Sequence, residues 1–261
     1  MSVPAIGVSH LSGSADLPTL VVGPSLGTPV TQLWSMVATR LAQHFHVLGW
    51  DLPGHGVSPR PRGAFTIADL AAAVIKQVDG AVGSRPFTYA GVSAAGVVGV
   101  QLLLADPQHI VSAALISTAA RIGDPDDWRS RAQIVRTAGT GELVASSVRR
   151  WFAPGFFERD PVAARALLDA LRGVDDEGYA RTCEALANFD ARDGLGGIDT
   201  PVVAVAGQND IVTPPDTVRR VATTVRRGRF VQVTNAAHLV PAEQPRRVAD
   251  VLAALRKSRR G

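Results

Sequence analysis

The segment from Pro86 to Gly99 constrains the fold more than any other part of the sequence. It begins as a short apolar run with β-branched and aromatic residues, typical of a buried strand, and continues after Ser93 as small apolar residues typical of a helix. Gly91 and Ala95 flank Ser93 two residues away on each side, so the backbone can turn sharply without side-chain collisions. This G-x-S-x-A pattern predicts a nucleophile elbow, in which the serine hydroxyl lies at a helix N-terminus.

A second interpretation of the same segment is a turn that binds a dinucleotide. Gly91, Gly96 and Gly99 could belong to such a turn, but Ser93 stands where the second glycine would have to approach a pyrophosphate. The cofactor interpretation is therefore the weaker one. Because G-x-S-x-A also occurs by chance, the nucleophile interpretation depends on partners elsewhere in the chain.

Composition limits the other function classes. With 261 residues, 46% of them hydrophobic, the chain fits one large α/β domain or two small ones. The net charge of +4 comes from scattered arginines without a basic stripe, which disfavours nucleic-acid binding and leaves a modest bias toward anionic ligands. Cys183 is the single cysteine, and no metal-ligand spacing occurs, so neither a metal nor an internal disulfide is expected. The sequence shows no leader and no membrane span, which predicts a soluble cytoplasmic protein.

Short apolar runs alternate with helical patterns over most of the chain, which predicts an α/β fold with right-handed parallel crossovers. The first two runs, Val3–His10 and Thr19–Val22, are separated by turn residues that indicate a hairpin-like connection. Thr66 is the predicted N-cap of the helix that follows it. The remaining strands are predicted at residues 45–50, 110–116, 201–206 and 230–233.

Two glycine-bounded loops follow early strands. In a hydrolase, the loop Gly23–Thr28 is where a backbone N–H would be supplied to an oxyanion, although by itself it could be an ordinary turn. The loop Asp51–Gly56 contains His55 between two glycines. We predict that His55 holds this tight loop through hydrogen bonds to the backbone, that Asp51 serves the same loop, and that neither is catalytic.

The alternation of strands and helices stops between about residues 121 and 193. Four helical patterns there, at residues 128–137, 142–152, 161–172 and 177–188, predict a helical lid over the carboxyl edge of the sheet. A separate small domain is the alternative, which is disfavoured because strands resume at once. The predicted organisation is a core formed by residues 1–120 and 194–261, with the lid at residues 121–193. The last helix ends in a basic tail, which is expected to be solvated.

Ser93, Asp210 and His238 each stand just beyond a predicted strand, in the chain order Ser, Asp, His. This order and placement predict a catalytic triad of the α/β-hydrolase type. His238 would take the serine proton, and Asp210 would fix the imidazole tautomer and stabilise the imidazolium. The backbone N–H groups of Leu26 and Ala94 are predicted to bind the oxyanion.

The sequence resembles the α/β-hydrolases and, over nearly its full length, the 3-oxoadipate enol-lactonases of aromatic-compound degradation. Two departures are Leu52-Pro53, where the family often has a residue followed by arginine, and Ala94-Ala95, where a bulkier residue and glycine are expected. The resemblance implies an α/β-hydrolase fold and hydrolysis of an enol-lactone to 3-oxoadipate without a cofactor. The stretches that carry it are Gly23–Thr28, Ser117–Gly123 with Trp128 and Arg131, Arg150–Phe156, and Gly178–Ala180.

The substrate implied by this resemblance carries a carboxylate, which arginine recognises well. Arg131 follows Trp128 by three residues on a predicted helix, so the indole could cover the lactone ring while the guanidinium meets the charge. Arg121 is the next candidate; equally, Arg131 could be a solvated arginine and Trp128 a packing residue. Alternatives for the whole chain are a carboxylesterase, a carbon–carbon bond hydrolase of ring-fission products, or a ligand receptor on the same fold. No oligomeric state is predicted.

Overall fold

The computed structural model describes residues 3–257, and the strands in that range form a seven-stranded sheet in the order β1-β3-β2-β4-β5-β6-β7. Only β1 is antiparallel to its neighbour; the other strands run parallel, so their carboxyl ends lie at the same edge. This confirms the predicted mostly parallel sheet flanked by helices. The strands are β1 (Val8–Ser12), β2 (Thr19–Gly23), β3 (His46–Trp50), β4 (Phe87–Val92), β5 (Ile110–Ile116), β6 (Val202–Gly207) and β7 (Gly228–Val233).

The hairpin-like connection predicted between the first two strands is wrong. β1 begins at Val8 rather than Val3 and pairs with β3, where Val8 lies opposite Trp50, while β2 lies between β3 and β4. The physical reason is burial. The apolar residues of β2 are buried on both faces, as a central parallel strand requires, whereas the partly exposed β1 fits an edge.

Helices flank the sheet; α1 packs against α11, and α2 packs against α3. The prediction that Thr66 caps α2 is confirmed, because its hydroxyl accepts the Asp69 N–H at 3.0 Å while the Asp69 carboxylate accepts the Thr66 N–H at 2.9 Å. The helices are α1 (Val30–Leu41), α2 (Ile67–Val82), α3 (Ala94–Ala105), α4 (Pro125–Ala138), α5 (Val144–Trp151), α6 (Phe156–Arg159), α7 (Pro161–Arg172), α8 (Asp176–Ala187), α9 (Pro215–Thr224), α10 (Val240–Glu243) and α11 (Pro245–Lys257).

The segment predicted as a lid, residues 121–193, contains α4 to α8 and is called the insertion below. The helix predicted at 142–152 is a 3-10 turn, Thr140–Leu143, followed by α5, and the short helix α6 was not predicted. Arg136 on α4 joins α8 through ion pairs to Glu177 and Glu184. The domain boundaries and a lid motion stay predictions, and the basic tail beyond residue 257 lies outside the described residues.

Helix α3 lies unusually close to the sheet, which determines where Ser93 stands. A Cβ at Gly96 would come within 2.5 Å of the Thr118 side chain, and one at Gly99 would come within 2.7 Å of the Tyr89 ring. Glycine at these two positions therefore lets the helix pack directly against β4 and β5. Ser93 is fixed at the join between β4 and α3, at the carboxyl edge of the sheet.

Candidate active site

Ser93 occupies a strained turn between β4 and α3. Its φ of 54° and ψ of −112° are unusual for a residue with a side chain. Gly91 makes the turn possible, since a Cβ there would lie 2.3 Å from the Ala95 carbonyl oxygen. The geometry has the form expected of a nucleophile elbow.

Neighbouring strands hold the elbow in this conformation. The Ser93 N–H donates to the Ile116 carbonyl at 2.9 Å, and the Thr118 hydroxyl donates to the Ser93 carbonyl at 2.9 Å. Thr118 is fully buried, so this second bond is shielded from water. The main chain of Ser93 is thus fixed on both sides while its side chain is not engaged by these bonds.

Asp210 and His238 are joined by a buried hydrogen bond of 2.9 Å between Oδ2 and Nδ1. The other Asp210 oxygen accepts the N–H groups of Val212 and Thr213, and the Thr213 hydroxyl donates to Oδ2. Burial acts to raise the pKa of Asp210, but His238 and Thr213 together outweigh it and hold the pKa below its usual value. Asp210 is therefore an ionised, fully hydrogen-bonded partner that orients the imidazole.

Ser93 and the Asp210–His238 pair lie at the same edge of the sheet, following β4, β6 and β7. All three are nearly buried, with 5%, 3% and 2% of their surfaces exposed. Within the described residues, the Ser93 hydroxyl makes no hydrogen bond to His238. Catalytic hydrogen bonds of this kind often tighten only in the substrate complex.

The backbone around His238 is attached to the end of α5. The carbonyl of Trp151 accepts N–H groups from both His238 and Leu239 at 3.2 Å. The buried carboxylate of Glu243 accepts the N–H groups of Ala153 and Ala237, each at 2.7 Å. Three of these hydrogen bonds connect the insertion to the segment that carries His238, and the fourth, from Ala237 to Glu243, lies within that segment.

The loop after β2 presents the N–H of Leu26. Among residues 3–257 we find no acceptor for this N–H or for that of Ala94, the first residue of α3. The adjacent N–H groups are engaged, because Ala95 donates to the Pro24 carbonyl at 3.3 Å and Gly27 donates to Nε2 of His55 at 3.1 Å. Leu26 and Ala94 therefore have the free donors that an oxyanion site needs.

His55 and Asp51 have the structural roles predicted for them. Nδ1 of His55 contacts the Pro53 carbonyl at 3.0 Å, and burial lowers the pKa of His55 to about 4, so the ring is neutral. The Asp51 carboxylate accepts the N–H groups of Val30 and Val57. The prediction that His55 makes hydrogen bonds to the backbone is confirmed.

A cavity of about 560 Å³ lies between the insertion and the segment after Asp210. Trp128 and Arg131 both line it, and the Arg131 guanidinium lies 5.6 Å from the centre of the Trp128 ring. Their predicted role in substrate binding stays a prediction. The indole N–H donates to the Ile122 carbonyl at 2.6 Å, so the ring is held in place. Ile211 and Val212, which directly follow Asp210, also line the cavity, and the Val212 N–H donates to the Asp210 carboxylate.

Arg121 does not join this cavity. Its guanidinium lies 3.7 Å from the Asp190 carboxylate, and it lines a different cavity together with Arg192 and Arg220. The structure thus brings Trp128 and Arg131 together and leaves Arg121 elsewhere, because the chain between β5 and α4 turns Arg121 toward the side of α9.

Two residues of the site were missed by sequence reasoning. Arg150 on α5 lines the same cavity as Arg131, and Glu243 holds the backbone beside His238. Arg150 belongs to the stretch 150–156 that carried the resemblance, which was an available signal. Glu243, an acidic residue in an otherwise apolar segment five residues after His238, offered a weaker one.

Neither the single cysteine nor a metal site competes with Ser93 in the part of the chain that the structure describes. Burial raises the pKa of the Cys183 thiol to about 12, which makes it inert. No group of three or more histidine, cysteine, aspartate or glutamate side chains in residues 3–256 could hold a metal ion. None of the helices described is long and apolar enough to cross a membrane.

Comparisons with known proteins agree with this geometry. A model of the alpha/beta hydrolase family matches residues 21–251. The chain is 34% identical over 242 residues to 3-oxoadipate enol-lactonase 2 of Acinetobacter baylyi, covering 89% of this chain and 86% of that protein. It is 29% identical to 3-oxoadipate enol-lactonase 1 of the same organism, covering 95% and 92%. The crystal structure of the enol-lactonase from Burkholderia xenovorans LB400 superimposes with a TM-score of 0.91 at 30% identity, covering 97% and 96%.

Proposed function

Because the chain belongs to the alpha/beta hydrolase family, we propose that this hydrolase cleaves the ester of a small anionic lactone, with 3-oxoadipate enol-lactone as its substrate and 3-oxoadipate as its product. The observation that carries the proposal is the Asp210–His238 hydrogen bond at the sheet edge where Ser93 stands, beside a cavity that contains Arg131. The similarity to three enol-lactonases supports the choice of substrate.

The first half of the reaction forms an acyl-enzyme. His238 removes the proton of the Ser93 hydroxyl as its oxygen attacks the lactone carbonyl, and Asp210 stabilises the resulting imidazolium. The N–H groups of Leu26 and Ala94 donate to the oxyanion, each worth about 3 kcal/mol of the barrier. The ring carbon–oxygen bond then breaks, and the imidazolium of His238 gives its proton to the enolate leaving group, which remains tethered to the acyl chain. His238 is neutral again at the end of this half.

The second half releases the acid. His238 takes a proton from water, whose oxygen attacks the acyl carbon, and the Ser93 oxygen leaves with a proton from the imidazolium. The new carboxylate and the ketone formed from the enol are in one product molecule. No step requires a metal or an organic cofactor.

The cavity residues supply substrate selection. The Arg131 guanidinium over Trp128 provides a planar double donor for a carboxylate, and the indole provides an apolar surface for the ring. The site would thus prefer an anionic lactone over a neutral ester. Cytoplasmic location, in the pathway that degrades aromatic compounds, belongs to the same proposal.

Two measurements test this function. Hydrolysis of 3-oxoadipate enol-lactone is compared with hydrolysis of simple aryl esters and of ring-fission products that require carbon–carbon cleavage. We expect the lactone to have the highest kcat/KM and a fluorophosphonate probe to label Ser93. Preference for an aryl ester would make the protein a carboxylesterase, and absence of labelling would remove the serine mechanism and favour a ligand receptor.

A further inference from the structure

Arg131 and Arg150 place two positive charges in one cavity. Arg131 lies on α4 and Arg150 in the last turn of α5, and both line the cavity that Ile211 and Val212, the residues after Asp210, also line. Among the described residues, neither guanidinium has a carboxylate within 4.0 Å, whereas Arg136 and Arg181 in the same insertion are paired with glutamates. The two cavity arginines therefore differ from their neighbours in lacking an internal counter-ion.

The two charges disfavour one another. Burial lowers the pKa of Arg150, and the positive charge of Arg131 lowers it further; Tyr179, Asp210 and Asp127 act in the opposite direction without cancelling the effect. Like charges that are partly removed from water raise the free energy of the site unless an anion joins them. Asp124 and Asp127 also line the cavity, but both are exposed, and among the described residues neither forms an ion pair with Arg131 or Arg150. The two half-buried arginines are therefore not ion-paired within the cavity.

The positions of the two arginines suggest what such an anion would contact. Arg131 lies over the Trp128 ring, at the side of the cavity formed by α4. Arg150 directly precedes Trp151, whose carbonyl holds the backbone of His238, and its charge is close enough to Asp210 to interact with it. One cation is therefore on the far helix and the other is adjacent to the catalytic segment.

We infer that Arg150 is a specificity-determining residue, which forms with Arg131 a two-cation site that selects esters carrying a carboxylate and binds the dicarboxylate released from them. The inference rests on the proposed function. Hydrolysis adds water across the acyl carbon–oxygen bond, and the new acid loses a proton, so the product has one more negative charge than the substrate. For a cyclic ester both carboxylates remain in one molecule, and two cations match it better than one.

Glutarate is the probe, because it is a five-carbon dicarboxylate that the enzyme does not hydrolyse. Its dissociation constant is measured by calorimetry for the wild type, Arg150→Gln and Arg149→Gln, with neutral glutaramide as the ligand control. Arg149 is the matched control, since it is the adjacent, exposed arginine of the same helix. We expect Arg150→Gln to weaken glutarate binding by about 10-fold or more, Arg149→Gln to change it by less than about two-fold, and glutaramide to bind poorly throughout.

Kinetics give a second readout. For Arg150→Gln, the loss in kcat/KM on the anionic lactone should exceed any loss on a neutral aryl ester by about 10-fold. Arg150→Lys, which keeps the charge, should recover part of the glutarate affinity, a result that a purely structural role would not give.

Equal glutarate affinity in the wild type and Arg150→Gln overturns the inference, as does absence of glutarate binding by the wild type. Calorimetry does not depend on turnover, so the two proposals can fail separately. Glutarate binding that needs Arg150 in a protein without esterase activity would support the two-cation site and remove the proposed function. Lactone hydrolysis by a protein that does not bind glutarate would support the proposed function and remove the two-cation site.

Discussion

Nε2 of His55 accepts a hydrogen bond from the N–H of Gly27, the residue directly after Leu26. His55 thereby accepts one donor of the loop, while the preceding N–H, that of Leu26, has no acceptor among the described residues. A neutral ring is required, because a protonated Nε2 could not accept this bond. The relationship links His55, outside the predicted triad, to the loop that carries the predicted oxyanion donor.

The variants His55→Gln and His55→Asn distinguish the effects of the two hydrogen bonds that this ring makes. A glutamine amide can reach the position of Nε2 and accept the Gly27 N–H, whereas asparagine can replace only the Nδ1 contact to Pro53. We expect His55→Asn to lose about 10-fold more kcat than His55→Gln, with similar KM values, in a steady-state assay. Equal kcat values in the two variants would contradict a role for His55 in positioning the loop.

The free energy of unfolding should depend on pH through two buried groups that act in opposite directions. Burial lowers the pKa of His55 from 6.5 to about 4. Its contribution to the free energy of unfolding is therefore full above pH 6.5 and is lost as the pH falls through about 4. Burial raises the pKa of Glu243 from 4.5 to about 7, so its contribution is full below pH 4.5 and is lost as the pH rises through about 7.

Urea unfolding of the wild type, His55→Gln and Glu243→Gln across this pH range measures both contributions. The advantage of the wild type over His55→Gln should grow as the pH rises from about 4 to 6.5. Its advantage over Glu243→Gln should shrink between about pH 4.5 and 7. Parallel curves for all three proteins would exclude both groups as the source of the pH dependence.

Substitutions in the triad should abolish turnover without unfolding the protein. Ser93→Ala and His238→Ala remove the nucleophile and the base, and alanine fits the tight elbow as serine does. Asp210→Asn should retain only slight activity, with kcat reduced by about 10³-fold or more, because a neutral partner favours the wrong imidazole tautomer. Rates are measured on the lactone, and circular dichroism checks the fold. A rate close to that of the wild type in any of the three would remove that residue from the mechanism.

Leu26→Pro tests the oxyanion donor. Proline deletes the N–H, which has no acceptor among the described residues, so no hydrogen bond described in the folded protein is lost. We expect kcat to fall by about 100-fold or more, while Leu26→Met, which keeps the N–H, retains most activity. A folded proline variant with normal kcat would place the donor elsewhere.

Arg131→Met tests recognition of the substrate carboxylate. The kcat/KM for the lactone should fall by about 10-fold or more, while hydrolysis of a neutral aryl ester changes much less. Arg121→Met is the comparison, since Arg121 is paired with Asp190 away from the cavity. Equal losses on both substrates would indicate a misfolded insertion, and a selective loss in Arg121→Met would move the carboxylate site to that residue.

Local patterns were sufficient to predict most elements and the positions of Ser93, Asp210 and His238 in the sequence, because each stands shortly after a strand-like run. The pairing of β1 was not predictable in the same way, since the turn residues 12–16 fit a hairpin equally well and only the non-local contact with β3 decides. The positions of Arg150 and Arg121 also depend on non-local contacts. Which of two arginines enters a cavity depends on how the helices of the insertion pack, and periodicity along one helix does not contain that information.

The Trp151 carbonyl that accepts the His238 and Leu239 N–H groups makes the end of α5 a fixed attachment point for the insertion. Moving this end away from His238 would break those two bonds and the bond from the Ala153 N–H to Glu243. If the insertion opens to admit substrate to the nearly buried Ser93, we expect the end of α5 to remain in place while other helices of the insertion move. Opening of the insertion would then leave the position of the His238 backbone unchanged.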